Sequence, residues 1–159
     1  ASLVLASALL VKRLSETTQV SEDEEVTQGG AVSQRTAGRV VPDGVMVFRV
    51  FGAFCFGAAD KLETALARAG GLPDVLVLRM RDVLALDATG LESLEDLLDK
   101  LRKHRKELIL CGPHSQPMFA LTRAGLLDKL GMENVCADMD GALARAREIL
   151  DQRKRSATT

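Results

Sequence analysis

Between Val45 and Leu150, short apolar runs alternate with longer runs whose leucines and alanines recur at helical spacing. VMVFRV (Val45 to Val50) is β-branched and apolar, and the Pro42-Asp43-Gly44 turn signal precedes it. Gly52 interrupts the run and Phe54-Cys55-Phe56 resumes it, which predicts two short strands at a bend. Ala58, Leu62, Ala65, Leu66 and Ala69 share one helical face, and Gly70-Gly71 ends it. Asp74 to Met80 contains VLVLRM, a strand of the kind buried on both faces. Leu91, Leu94, Leu97, Leu98 and Leu101 mark an amphipathic helix that closes on LRKHRK, cations favoured by the helix dipole. A strand (ELILCG), a short helix (Pro117 to Ala124), a brief strand (Asn134 to Ala137) and a final helix from Asp140 through Leu150 complete the pattern. Such alternation predicts an α/β domain with a central mixed, mostly parallel β-sheet flanked by about four helices.

The flanks differ from this core. Residues 1–14 open ASLVLASALLV, with no charge before Lys12-Arg13. Eleven apolar residues are too few for a bilayer, which needs about 20, and the basic pair follows the run instead of preceding it as in a signal peptide. This segment reads as the end of a truncated transmembrane helix whose cytoplasmic side Lys12 and Arg13 mark. Residues 15–39 carry the acidic cluster Glu22 to Glu25 and Gly29-Gly30 without apolar periodicity, and read as a polar linker. The domain is then residues 40–153, with a frayed tail at 154–159.

Composition excludes several functions. A formal net charge of -1, with no Trp or Tyr and five Phe, gives no electrostatic or stacking basis for nucleic-acid binding. Cys55, Cys111 and Cys136 form no CxxC pair and sit in apolar contexts, as buried free thiols of a reducing compartment do. His104 and His114 lack a metal-ligand partner at i+3 or i+4, so no metal site is expected. Gly52-Ala-Phe-Cys-Phe-Gly57 has the glycine spacing of a phosphate loop, but Ala58-Ala59 stand where Lys and Ser or Thr are needed. His114-Ser115 is adjacent in sequence without a GxSxG elbow; Ser115 fits a cap for the helix at Pro117 better than a nucleophile. No catalytic set emerges, and no enzyme is expected.

One stretch remains chemically suggestive. LDATGLESLEDLL (Leu86 to Leu98) places Asp87, Thr89 and Gly90 where strand gives way to helix. Thr89 and Glu92 have capping-box spacing, which predicts Thr89 as the N-cap. The same geometry would present a hydroxyl at a positive helix terminus, where a phosphate finds donors.

With these residues in view, the chain resembles a STAS domain, the fold shared by anti-sigma factor antagonists and the cytoplasmic tails of SulP-type sulfate permeases. FRVFGAFCFGAADKLETAL (Phe48 to Leu66) looks like the permease-tail pattern, and VLALDATGLESLEDLL (Val83 to Leu98) like the signature loop and its helix. In the antagonists that loop reads Asp-Ser-Ser-Gly and its second Ser is phosphorylated. Thr89 stands at that position, and Ala88 replaces the first Ser.

The resemblance implies the STAS fold and a regulatory or interaction role at the cytoplasmic face of a bacterial inner membrane, in a SulP-type anion transporter with sulfate as the default substrate. Its implied partners are the transmembrane domain of the same transporter, the membrane through the N-terminal helix, a cytoplasmic protein, and a second copy in the full-length protein. It also implies a phosphorylation or regulatory loop at Asp87, Thr89 and Gly90. Weak guanine-nucleotide binding beside Phe54, Asp87 and Thr89 is the one cofactor-like ligand suggested. The alternative reading is a soluble antagonist-like signalling protein switched by phosphorylation at Thr89.

Overall fold

The computed structural model describes residues 19–22, 34–36, 39–54 and 58–159, with side chains described at 39–50 and 62–159. The apolar opening, residues 1–14, lies outside the described residues, as do Cys55 and Gly57 of the glycine-spaced stretch. Within the described residues no helix is long and apolar enough to cross a membrane.

Five strands form one sheet in the order β1 (Gln19–Glu22), β4 (Val45–Phe54), β5 (Val75–Leu86), β6 (Glu107–Cys111) and β7 (Val135–Cys136). β4 to β7 run parallel, and β1 lies antiparallel against β4, pairing Gln19 with Phe51 and Glu22 with Phe48. The expected mixed, mostly parallel sheet is therefore present. β2 (Gln34–Thr36) and β3 (Arg39–Val41) form a separate antiparallel pair. Parts of the polar segment read as a linker thus enter strands, because β1 supplies pairing partners to the otherwise open edge of β4.

The helices are α1 (Ala58–Arg68), α2 (Ala88–Lys103), α3 (Ser115–Arg123), α4 (Leu126–Leu130) and α5 (Met139–Ala157). Four of them pack on one face of the sheet. Leu62 and Leu66 of α1, Leu94 to Leu101 of α2, Leu121 of α3 and Leu126, Leu127 and Leu130 of α4 close over Phe48, Leu76, Leu78 and Leu110. Sequential parallel strands joined by crossovers of one hand put their helices on one face. The other face holds Val45, Val47, Val75, Val77 and Ile109 against Met139, Ala142, Leu143, Ala146 and Ile149 of α5. Residues i and i+1 of β4 and β5 divide between these clusters, which is why their strands read as continuous apolar runs.

Four boundaries differ from the sequence reading. β4 continues through Gly52 to Phe54 instead of breaking there, and β5 runs on from Met80 to Leu86. Both differences have one cause: the β4–β5 register shifts between Arg49 and Phe51 and again between Gly52 and Ala53. Each shift places an extra residue on β5, so its inward period changes phase and the charged Arg79-Met80-Arg81-Asp82 stretch resembles a turn. α4 lies between Gly125 (φ 71°) and Gly131 (φ 93°) and is too short for a periodic signal. α5 extends through Ala157, so residues 154–157 are helical where a frayed tail was expected.

At the N-terminal end of the parallel strands Gly44 (φ 86°) turns the chain into β4, and its carbonyl accepts from Val75 N–H at 3.1 Å. Asp74 there receives Lys106 at 2.6 Å and Arg153 at 3.5 Å, joining the starts of β5 and β6 to α5.

Candidate functional site

The Asp87 loop lies at the opposite end, where the parallel strands finish. β5 ends at Leu86 and α2 begins at Ala88, so Asp87 is the single residue between them. Its backbone is extended (φ -95°, ψ -178°) and its Oδ1 accepts Gly90 N–H at 2.8 Å. Thr89 Oγ1 donates to the same oxygen at 2.8 Å, and Leu91 N–H donates to the Asp87 carbonyl at 2.9 Å.

This corrects the capping assignment. Asp87, not Thr89, is the N-cap, and Thr89 sits on the first turn as a second donor to the cap. Among the described residues Glu92 returns no bond to the helix start, so the capping box does not form. The physical reason is that β5 extends to Leu86, leaving Asp87 as the last extended residue, and a carboxylate is at least as good an N-cap as a hydroxyl. We predict that Asp87→Ala destabilises the domain by about 1 kcal/mol. Urea unfolding followed by far-UV circular dichroism reads it; a change within error would mean that the carboxylate does not act as the cap.

The arrangement also constrains any modification of Thr89. The residue is exposed, but its hydroxyl hydrogen is committed to Asp87. A phosphate on Oγ1 would replace that hydrogen with an anion facing the carboxylate, and like charges at this distance repel. A phosphate there would displace the Thr89–Asp87 bond, while the Gly90 N–H bond that caps the helix does not involve Thr89.

Two side chains that the sequence reading did not place in this role hold the end of β5. Past Arg79 the strand loses β6 as a partner, because β6 pairs only with Val75 to Arg79. Gln116 of α3 takes over: its Oε1 accepts Leu86 N–H at 2.9 Å and its Nε2 donates to the Leu86 carbonyl at 3.3 Å. The amide acts as a one-residue substitute for a neighbouring strand, next to Asp87. Nearer the middle of the strand His114 Nε2–H donates to the Arg81 carbonyl. His114 is also the N-cap of α3, without a side-chain capping bond; Ser115, expected to cap, is instead the first helical residue.

Phe54 pairs with Leu86 in the β4–β5 register, so its backbone neighbours the Asp87 loop; its side chain lies outside the described residues. The register therefore brings all three nucleotide-suggested positions to one end of the sheet. Cys111 is buried and Cys136 half-buried, both as free thiols. Burial pushes the Cys111 thiol up to about 11, which keeps it protonated and unreactive at neutral pH. Among the described residues no group of three or more His, Cys, Asp or Glu side chains is placed to hold a metal ion.

Comparison with known proteins identifies this architecture. A solved sulfate transporter family protein from Wolinella succinogenes is 37% identical, with a TM-score of 0.67 over 74% of this chain and 96% of that one. The SulP transporter STAS domain from Vibrio cholerae is 27% identical, with a TM-score of 0.62 over 82% of this chain and 96% of its own. YvdB of Bacillus subtilis, a protein assigned to sulfate transport, is 28% identical over 133 residues, which are 83% of this chain but 24% of that protein. The chain thus spans about a quarter of that relative's length. The sequence profile of the STAS domain matches residues 39–142, which are β3 through the first turn of α5. With the sheet order, the loop between β5 and α2 and this match in agreement, the chain belongs to the STAS domain family.

Proposed function

We propose that this chain is the cytoplasmic regulatory and interaction domain of a SulP-type secondary anion transporter of the sulfate class, at the cytoplasmic face of a bacterial inner membrane. The observation that carries this reading is the 37% identity to a sulfate transporter family protein over 96% of that structure. The relatives named for sulfate transport are several times longer than the matched segment, which supports a domain serving a larger membrane protein. In that arrangement the anion is bound in the membrane domain, where half-helix termini supply the charge complement. The STAS domain acts on transport rate, assembly or trafficking through its surfaces. The Asp87–Thr89–Gly90 turn, with Asp87 and Thr89 exposed, is its regulatory loop. Its partners are the transmembrane domain of the same transporter, a second copy in the full-length protein and a cytoplasmic protein. A guanine nucleotide binds only weakly there, since no phosphate-loop lysine is present.

The test uses the complete reading frame that contains this chain, expressed with and without residues 40–159. Removing the domain is expected to change anion uptake severalfold while the order of preference among sulfate, bicarbonate and dicarboxylates stays the same. A changed order of preference would overturn the proposal. So would a frame without further apolar spans, in which Thr89→Glu abolishes partner capture and Thr89→Ala retains it; that result belongs to a soluble antagonist-like protein.

A further inference from the structure

An open cavity of about 530 Å³ lies beside Arg81 in the middle of β5 and the C-terminal ends of β6 and β7, with His114 in its lining. That volume lies within the range of small-molecule sites, roughly 300–1,000 Å³. The position is also where parallel α/β sheets bind ligands, outside the carboxyl ends of the strands.

Its walls are of two kinds. Met118, Met132, Val135 and Pro113 supply an apolar lining, and Met132 is 59% exposed although it is large and hydrophobic. Methionine adapts its shape readily, which suits a wall that must close on a flexible hydrocarbon. Arg81 supplies the charge. Its guanidinium has no ion-pair partner among the described residues, whereas the adjacent Asp82 holds Arg49 at 2.8 Å.

Gly112 turns the chain at the cavity wall with φ 67°, a conformation that favours glycine. Gly112 N–H donates to the Cys136 carbonyl at 2.8 Å, and His114 is tied to the Arg81 carbonyl, so the rim is anchored on two strands.

We propose that this cavity binds a small organic monocarboxylate with an apolar body, the carboxylate on Arg81 and the hydrocarbon between Met118, Met132 and Val135. One guanidinium beside a wall of Met118, Met132, Val135 and Pro113 favours such an amphiphile over an inorganic anion, whose whole surface needs polar partners. It disfavours a neutral apolar ligand as well, which would cover the cation without pairing it. The proposal does not depend on the transport reading.

The probe is sodium octanoate, titrated into the full isotope-labelled chain and followed by amide NMR shifts. Saturable shifts at Gly112, Met132 and Ala137 are expected, with a Kd of about 0.1–1 mM. Arg81→Gln should weaken binding about tenfold, the effect of losing one charge-assisted contact. Met132→Glu should weaken it too, by placing a like charge at the mouth, and neither exposed substitution should alter the remaining spectrum. Three results would overturn the proposal: shifts located elsewhere and indifferent to Arg81→Gln, equal binding of 1-octanol, or displacement of octanoate by equimolar sulfate.

Discussion

Phe48→Ala is expected to lower the thermal midpoint of this domain by about 10–15 °C, through a loss of about 3–5 kcal/mol. Phe48 is fully buried on β4, in register with Leu78 of β5, at the centre of the face covered by α1 to α4. Truncation there removes the transfer free energy of the ring and leaves a cavity. Its walls are leucines fixed on paired strands and on helices, so they can collapse only in part. Domains of this size are stable by about 5–15 kcal/mol in total, so the variant would sit near the folding threshold. With no Trp or Tyr in the chain, far-UV circular dichroism or calorimetry is the appropriate readout. A midpoint within a few degrees of the parent would mean that Phe48 does not occupy the central position assigned to it. Phe48→Leu, which keeps most of the volume, should recover most of the loss.

Asn134→Ala is expected to cost about 2 kcal/mol and to be coupled to Arg145. Asn134 is the one buried polar or charged side chain among the described residues, at 3% exposure. Its Nδ2 donates to the Leu130 carbonyl at 3.2 Å and its Oδ1 accepts Arg145 Nε–H at 2.8 Å. It thereby joins the end of α4, the turn before β7 and the middle of α5. β7 has only two residues, so its own ladder contributes little to holding this corner. Removing the amide leaves a half-buried guanidinium short of one acceptor, although Glu148 still reaches Arg145 at 3.0 Å. A double-mutant cycle with Arg145→Met should show a coupling of about 1 kcal/mol in urea unfolding. Strict additivity would show that the Asn134–Arg145 contact is not energetically significant. Surface pairs such as Lys100 with Glu63 should contribute far less, because both partners are half exposed.

From β4 to α5 the alternation of strands and helices, α4 excepted, and the apolar stripe of α2 were legible in the sequence. Leu94, Leu97, Leu98 and Leu101 are all buried as their spacing requires, because a helix has one period and one buried face. The basic last turn of α2 follows equally local rules. The chemistry of the candidate site was half legible: Asp87, Thr89 and Gly90 are neighbours in sequence and neighbours in the turn. Which of them caps the helix was not legible, since that depended on where β5 ends.

What the sequence alone determined, then, is whatever depends on residues a few positions apart: element type, order, core face and the polar turn before α2. Tertiary structure decided the rest. The β4–β5 register shifts lengthened β5 and moved the helix start onto Asp87. Gln116 and His114 anchor Leu86 and Arg81 across about thirty residues of chain, and β1 covers the edge of β4. Such contacts leave no periodic trace, because a side chain that satisfies a distant strand's backbone is chosen by where the fold brings it and not by its local neighbours.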